Sequence, residues 1–352
     1  MKVEFCSIVI LVSKKIIKRI IIITVVINVV IFLGISAKIT FEKTKEALRQ
    51  AQGKPFDVSN LSKGGFSMFG SGEPVCVDAT DYHTEILYAR AKDTASRFQE
   101  MTPKLRSWFK GADGIVNDEA KKFKMTANFK VLCDRGEISV VEAVLPNTAD
   151  YYYKSPDTRG VLIRDLSLLG HNKKNVKYVV HFDGKASGCS QNGASAPCIA
   201  QNSLKGPDDR LVEDNVYNFG PDYAFSYKVD DETFQQYFGA SLDMMGPILI
   251  LHEYAHTLGA VQPSAPHATK KEMADGQVHC TDSKTIGRGG TDIMCKSDGQ
   301  GEVFGNECPG MFPFHFDCNN DDYFNPKPEP GNYLSTHWNL GSRLNRFIKF
   351  GE

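Results

Sequence analysis

A helix that is apolar on every side cannot lie on the surface of a folded domain, and the segment from Pro247 to Leu258 predicts such a helix. Pro suits the first position of a helix and Gly suits the residue just past its end, so Pro247 and Gly259 mark the expected limits. Ile248-Leu249-Ile250-Leu251 leaves no polar face, yet His252, Glu253 and His256 follow at once. Ionisable groups carried by a buried helix need partners. His252 and His256 are four residues apart and project from one face, about 6 Å apart along the axis, so one ion can bridge them. Glu253 lies about 100° further round, within reach of a water on that ion rather than of the ion itself. Two imidazoles with an adjacent carboxylate suit zinc, which acidifies water, with Glu253 as the base that takes the proton.

The run His252-Glu253-Tyr254-Ala255-His256-Thr257-Leu258-Gly259 resembles the start of the metzincin zinc-peptidase signature, H-E-x-x-H-x-x-G-x-x-H. Where that signature has its third histidine, this chain has Gln262, and a Pro-rich stretch Pro263-Ser264-Ala265-Pro266-His267 follows. Neutral Gln is a poor zinc donor beside imidazole, so the third ligand is sought downstream. His279 is preferred because Cys280 follows it and can anchor its loop; the similar archaemetzincins also carry His-Cys there. His267 is the alternative and Asp282 a more remote one. Asp292-Ile293-Met294-Cys295 resembles the Met-turn of the same clan, which implies that Met294 packs beneath the metal. Motif-level resemblance to secreted bacterial metalloprotease-like proteins covers roughly residues 175–340. It implies an α+β, metzincin-like domain with a mixed sheet, an active-site helix and a disulfide-rich C-terminal part.

The N-terminus is read separately. Lys14, Lys15, Lys18 and Arg19 precede an uncharged run, Ile20 to Ala37, that closes on Gly34-Ile35-Ser36-Ala37. Residues 1–37 are therefore expected to be a secretory signal peptide cleaved after Ala37, the alternative being an uncleaved membrane anchor. Either way the chain from Lys38 onward is exported. Of nine cysteines, Cys6 falls within the signal, leaving an even number in an exported chain, which reads as disulfides. Nearest-neighbour pairing gives 76–133, 189–198, 280–295 and 308–318; an inhibitory Cys76 thiolate on the zinc is the competing role for that residue. With Lys+Arg 41 against Asp+Glu 42, nothing in the charge balance points to nucleic acid.

Residues 38–75 read as a linker or short pro-segment, and residues 76–352 as the metallopeptidase-like domain. Tyr82 to Phe98 has helical periodicity, whereas Phe129–Leu132, Ile138–Val141 and Lys177–Phe182 are β-rich; Gly184 to Tyr227 reads as a long surface loop. Oxygen side chains in Asp317-Cys318-Asn319-Asn320-Asp321-Asp322 suggest either a structural Ca2+ site or an acidic turn. The expected function is that of a secreted, monomeric zinc endopeptidase acting on protein or peptide substrates. The ligands are His252, His256 and His279 (or His267), and Glu253 is the base. The rivals are a secreted binding or adhesive protein on a decayed peptidase scaffold, a zinc hydrolase of non-peptide bonds, and a membrane-tethered structural protein.

Overall fold

The computed structural model describes residues 72–187, 198–203, 205–238, 241–269, 278–281, 291–295 and 314–352, all within one compact unit. The expected signal segment and most of the expected linker lie outside them. Among the described residues no helix is long and apolar enough to cross a membrane.

The chain order is β1 (Val75–Val77), β2 (His83–Ala91), α1 (Phe98–Lys121), β3 (Thr126–Asp134), β4 (Glu137–Ile138), β5 (Val140–Leu145), α2 (Ala149–Lys154), α3 (Thr158–Leu168) and β6 (Val176–Phe182). It continues with β7 (Ala200–Asn202), β8 (Asp222–Tyr227), α4 (Asp231–Phe238), α5 (Leu242–Leu258), β9 (Thr291–Asp292), β10 (Phe314–His315) and β11 (Ile348–Gly351). The main sheet runs β1-β3-β2-β6-β8-β7, with β5 alongside β2 and both β4 and β11 on β3. Its centre is parallel: β2 pairs with β5 and β6, and β6 with β8. The edge strand β7 runs antiparallel to β8.

Both faces of the sheet are covered. On one, Leu87, Tyr178, Val180, Tyr223 and Phe225 pack against Tyr152, Leu162 and Leu166 of α2 and α3. On the other, Ile86, Tyr88, Val179 and Ala224 meet α1 and α5, and this core continues into Met294, Phe316, Phe324 and Trp338. The sheet is mixed, as expected, but its parallel centre and two helical layers are those of an α/β sandwich rather than a segregated α+β fold. Two readings of the sequence are corrected for one physical reason. Tyr82 to Phe98 holds not a helix but strand β2, and the supposed loop from Gly184 to Tyr227 ends in β8; both strands are buried on both faces, so neither shows period-two alternation. The helix starts at Phe98 instead.

Two buried ionisable groups face this core in opposite senses. Burial pushes the His181 imidazole down to about 4, and burial pushes the Asp113 carboxyl up to about 7 against a backbone N–H from Phe129. Between pH 4 and 6.5 the unfolded chain carries the extra proton at His181, so that group's contribution to stability rises with pH. In nearly the same window the folded chain carries the extra proton at Asp113, so its contribution falls as pH rises. The two slopes oppose each other. Asp113→Asn removes the falling one, so denaturant titrations are expected to show the variant gaining on the unmodified protein by roughly 1 kcal/mol per pH unit from pH 4.5 to 6.5. A pH-independent difference would contradict this.

Candidate metal centre

Helix α5 begins earlier than the sequence suggested. Ser241 is its N-cap, accepting from the Met244 N–H, and Pro247 lies inside the helix rather than at its first position. Gly246 lets α5 close on α1: a Cβ there would lie 2.3 Å from the Trp108 ring. Gly259 ends the helix with φ at 99°, as its type and position predicted.

The last turn of α5 is fixed by donors from separate parts of the chain. Lys177 Nζ donates to the Thr257 carbonyl (2.6 Å), Trp338 Nε1 to the Leu258 carbonyl (2.8 Å) and Gln262 Nε2 to the Gly259 carbonyl (2.7 Å). Carbonyls that a helix end leaves unpaired are thus satisfied in the turn that carries His256. Gln262, the residue at the usual third-ligand position, is buried with its Oε1 accepting from the Asp208 N–H at 3.0 Å, so its amide is committed to the backbone on both sides.

Three imidazoles converge above this turn. His279 Nε2 lies 3.2 Å from His256 Nε2 and 3.3 Å from His252 Nε2. Two of the outer nitrogens are tied down: His252 Nδ1 donates to the Ile293 carbonyl (2.8 Å) and His256 Nδ1 to the Ala260 carbonyl (2.7 Å). With the proton assigned to Nδ1 by those partners, both Nε2 lone pairs face inward. His279 joins them on the segment 278–281, where its carbonyl accepts from the Thr269 N–H and its own N–H donates to Thr269 Oγ1. Ligands about 2.0–2.1 Å from a tetrahedral zinc stand about 3.4 Å apart, so the two separations from His279 fit zinc, as does the donor type.

His267 is not drawn into this triangle. Its Nδ1 is 3.1 Å from Asp322 Oδ2 and its backbone N–H donates to Asp322 Oδ1, placing it in a separate group with Asp321 and Asp322. Asp282 lies outside the described residues. Asp317, at the head of the stretch read as a calcium loop or acidic turn, accepts from the backbone N–H groups of Asp321, Asp322, Tyr323 and Phe324, which is how a carboxylate organises a turn.

Met294 is fully buried, in the same core as Leu251, Ala255 and Leu258 of α5. Its turn is organised by Asp292, whose Oδ1 accepts from the Met294 N–H and the Tyr323 hydroxyl, and whose Oδ2 accepts from the Cys318 N–H. Disulfides join Cys76 to Cys133 and Cys280 to Cys295, as paired from the sequence, so Cys76 is a structural bridge and not a thiolate aimed at the centre. Cys198 and Cys318 are also disulfide-bonded, while Cys189 and Cys308 lie outside the described residues.

Glu253 is 8% exposed, and Asn202 Nδ2 donates to its Oε2 at 2.7 Å. Asn202 ends the edge strand β7, so the carboxylate is tethered to the rim of the sheet. Nothing in the sequence marked Asn202, which lies far upstream of the helix in a stretch read as loop. Lys177 did carry a signal, as a lone cation in the apolar run of β6.

No family model matches the chain, and no curated protein matches it. Among solved structures, crystal forms of wild-type OgpA from Akkermansia muciniphila match at 9% and 11% identity with TM-scores of 0.32 and 0.33. Catalytically inactive OgpA in complex with an O-glycopeptide substrate, glycodrosocin, matches at 9% identity with a TM-score of 0.31. Each match covers 54% of this chain and 51% of the other, so the chain spans about half the length of these structures. Likeness this slight says nothing about activity.

Proposed function

We propose that the chain is a zinc-dependent endopeptidase, exported behind a cleaved segment 1–37, with residues 38–75 as a linker or pro-segment and 76–352 as the catalytic domain. One observation carries the reading: His279 Nε2 lies 3.2 Å from His256 Nε2 and 3.3 Å from His252 Nε2, with Glu253 on the same helix as the latter two. His252, His256 and His279 would hold the zinc, which when bound polarises a carbonyl and makes water acidic near neutral pH. Glu253, half a turn or less from the ligand face, takes the proton from the attacking water and returns it to the departing amine. Asn202 keeps the Glu253 carboxylate turned along the rim of β7, an edge against which an extended peptide can lie by adding a strand.

Zinc content of the purified protein tests the reading. One zinc per chain is expected, lost in His252→Ala and in His279→Ala but kept in His267→Ala, together with zinc-dependent cleavage of a broad peptide library. No zinc on the unmodified protein overturns it and favours a binding protein on a peptidase scaffold. Zinc without peptide cleavage points instead to hydrolysis of another bond.

Asn202→Ala separates positioning from metal holding. Losing a hydrogen bond to an ionised carboxylate is expected to lower kcat/KM about tenfold, with zinc content unchanged. Equal activity in the variant removes Asn202 from the mechanism.

A further inference from the structure

Helix α5 delivers only two of the three imidazoles, so the centre depends on whatever brings a distant segment to it. We infer that the Cys280–Cys295 disulfide is a positioning element of the metal centre, such that the oxidised chain binds zinc far more tightly than the chain with this bridge open. The inference rests on the zinc reading of His252, His256 and His279.

Four observations carry it. Cys280 directly follows His279, and its disulfide joins that ligand's segment to residues 291–295. Residues 291–295 in turn supply the Ile293 carbonyl that accepts from His252 Nδ1 at 2.8 Å, and so fix the ring orientation of a second ligand. Cys280 is completely buried, within the same core as Val278, Ile293 and Met294. Besides the disulfide, one backbone hydrogen bond joins the two segments among the described residues: the Cys280 N–H donates to the Met294 carbonyl at 3.1 Å. One covalent bond therefore links the segment of His279, itself paired with Thr269, to the carbonyl that orients His252, while His256 is oriented by Ala260, just past the end of its own helix.

The Cys76–Cys133 bridge supplies an internal control. It ties β1 to β3, strands already in parallel register at Cys76 and Val131, and it touches no ligand. Opening either bridge takes two electrons and two protons from a dithiol, which becomes a disulfide as the two cysteine thiols form. Only the opening of 280–295 frees His279 and the Ile293 carbonyl to move apart. A chain still reduced thus holds the metal weakly, and the high-affinity centre forms when this bridge closes.

Competition of the full chain against a chromophoric zinc chelator tests this, with folding checked by circular dichroism. The variant Cys280→Ser/Cys295→Ser is used because free thiols at these positions, beside Asp292, would form a rival metal group. Loss of such outer support typically weakens metal binding about 10–100-fold, and that rise in Kd is expected for the variant, against no more than about a twofold change for Cys76→Ser/Cys133→Ser. A Kd unchanged in Cys280→Ser/Cys295→Ser overturns the inference, as does an equal loss in both variants. Absence of zinc on the unmodified protein is distinct from either, since it overturns the zinc reading itself. If the first variant does not fold, the unmodified chain is titrated with a dithiol, the freed thiols are capped by alkylation so that they cannot form that rival group, the dithiol is removed, and the open bridges are mapped. Zinc release that tracks opening of 280–295, and not of 76–133, is then the expected result; zinc retained with 280–295 open overturns the inference.

Discussion

Glu253→Gln is expected to lower kcat/KM for peptide hydrolysis by about 10²–10⁴-fold, the range of a positioned general base, while zinc stays at one per chain. The substitution keeps the size and shape of the side chain, and an amide oxygen at that position can still accept from Asn202 Nδ2. What it removes is the negative charge and with it any proton affinity useful near neutral pH. The three imidazoles are untouched, because they are held by Ile293, Ala260 and the segment around Thr269 rather than by Glu253. The measurement pairs single-turnover cleavage of a peptide found by library digestion with zinc content on the same sample. Activity within about threefold of the unmodified protein contradicts the base assignment. Loss of zinc along with activity would instead make Glu253 part of what holds the metal. The expected drop exceeds that for Asn202→Ala, since Asn202 orients the base without replacing it.

The parts of this centre that could be read from the sequence are those set by local periodicity. His252, Glu253 and His256 follow from the helical repeat, and Gly259 from its left-handed cap. His279 was preferred over His267 because a cysteine follows it; its Nε2 lies 3.2 Å from that of His256, while His267 Nδ1 lies 3.1 Å from Asp322 Oδ2. What local pattern could not supply was the origin of the long-range donors. Asn202 reaches Glu253 from an edge strand whose three residues have no recognisable alternation. Gln262 looked like a defect in a ligand signature, yet its amide joins Gly259 to Asp208. Strands β2 and β8 were misread because burial on both faces erases the period by which strands are recognised, whereas β6, equally buried, was legible from its β-branched and aromatic residues. Pro247 misplaced the start of α5 because Ser241, a plain N-cap, lay further upstream before Leu242-Asp243-Met244.

Lys177→Met is expected to destabilise the fold by about 3–5 kcal/mol, the usual cost of removing one partner from a buried ion pair. The Lys177 side chain is fully buried, with Nζ 2.6 Å from Asp222 Oδ2 and 2.6 Å from the Thr257 carbonyl. Met replaces the length of the side chain but leaves Asp222 with Lys205 as its cation and takes the donor from Thr257, the residue after His256. Denaturant unfolding in a chelator measures this without the stabilisation that bound metal adds. The pH dependence supplies an independent check. Burial pulls the Lys177 ammonium down to about 8, below its unfolded value of 10.5, despite Asp222 beside it. A lysine whose folded value is depressed makes the fold gain stability as pH rises from 8 towards 10.5, because the unfolded chain then holds the extra proton. The variant lacks that gain, so its deficit is expected to widen by roughly 1 kcal/mol per unit between pH 8 and 10. Adding Asp222→Leu should recover part of the loss, since a buried charge left with one peripheral partner costs more than an apolar side chain of similar volume. A single variant as stable as the unmodified protein would instead mean that Trp338 and Gln262 suffice to hold the end of α5, and that Lys177 is dispensable to it.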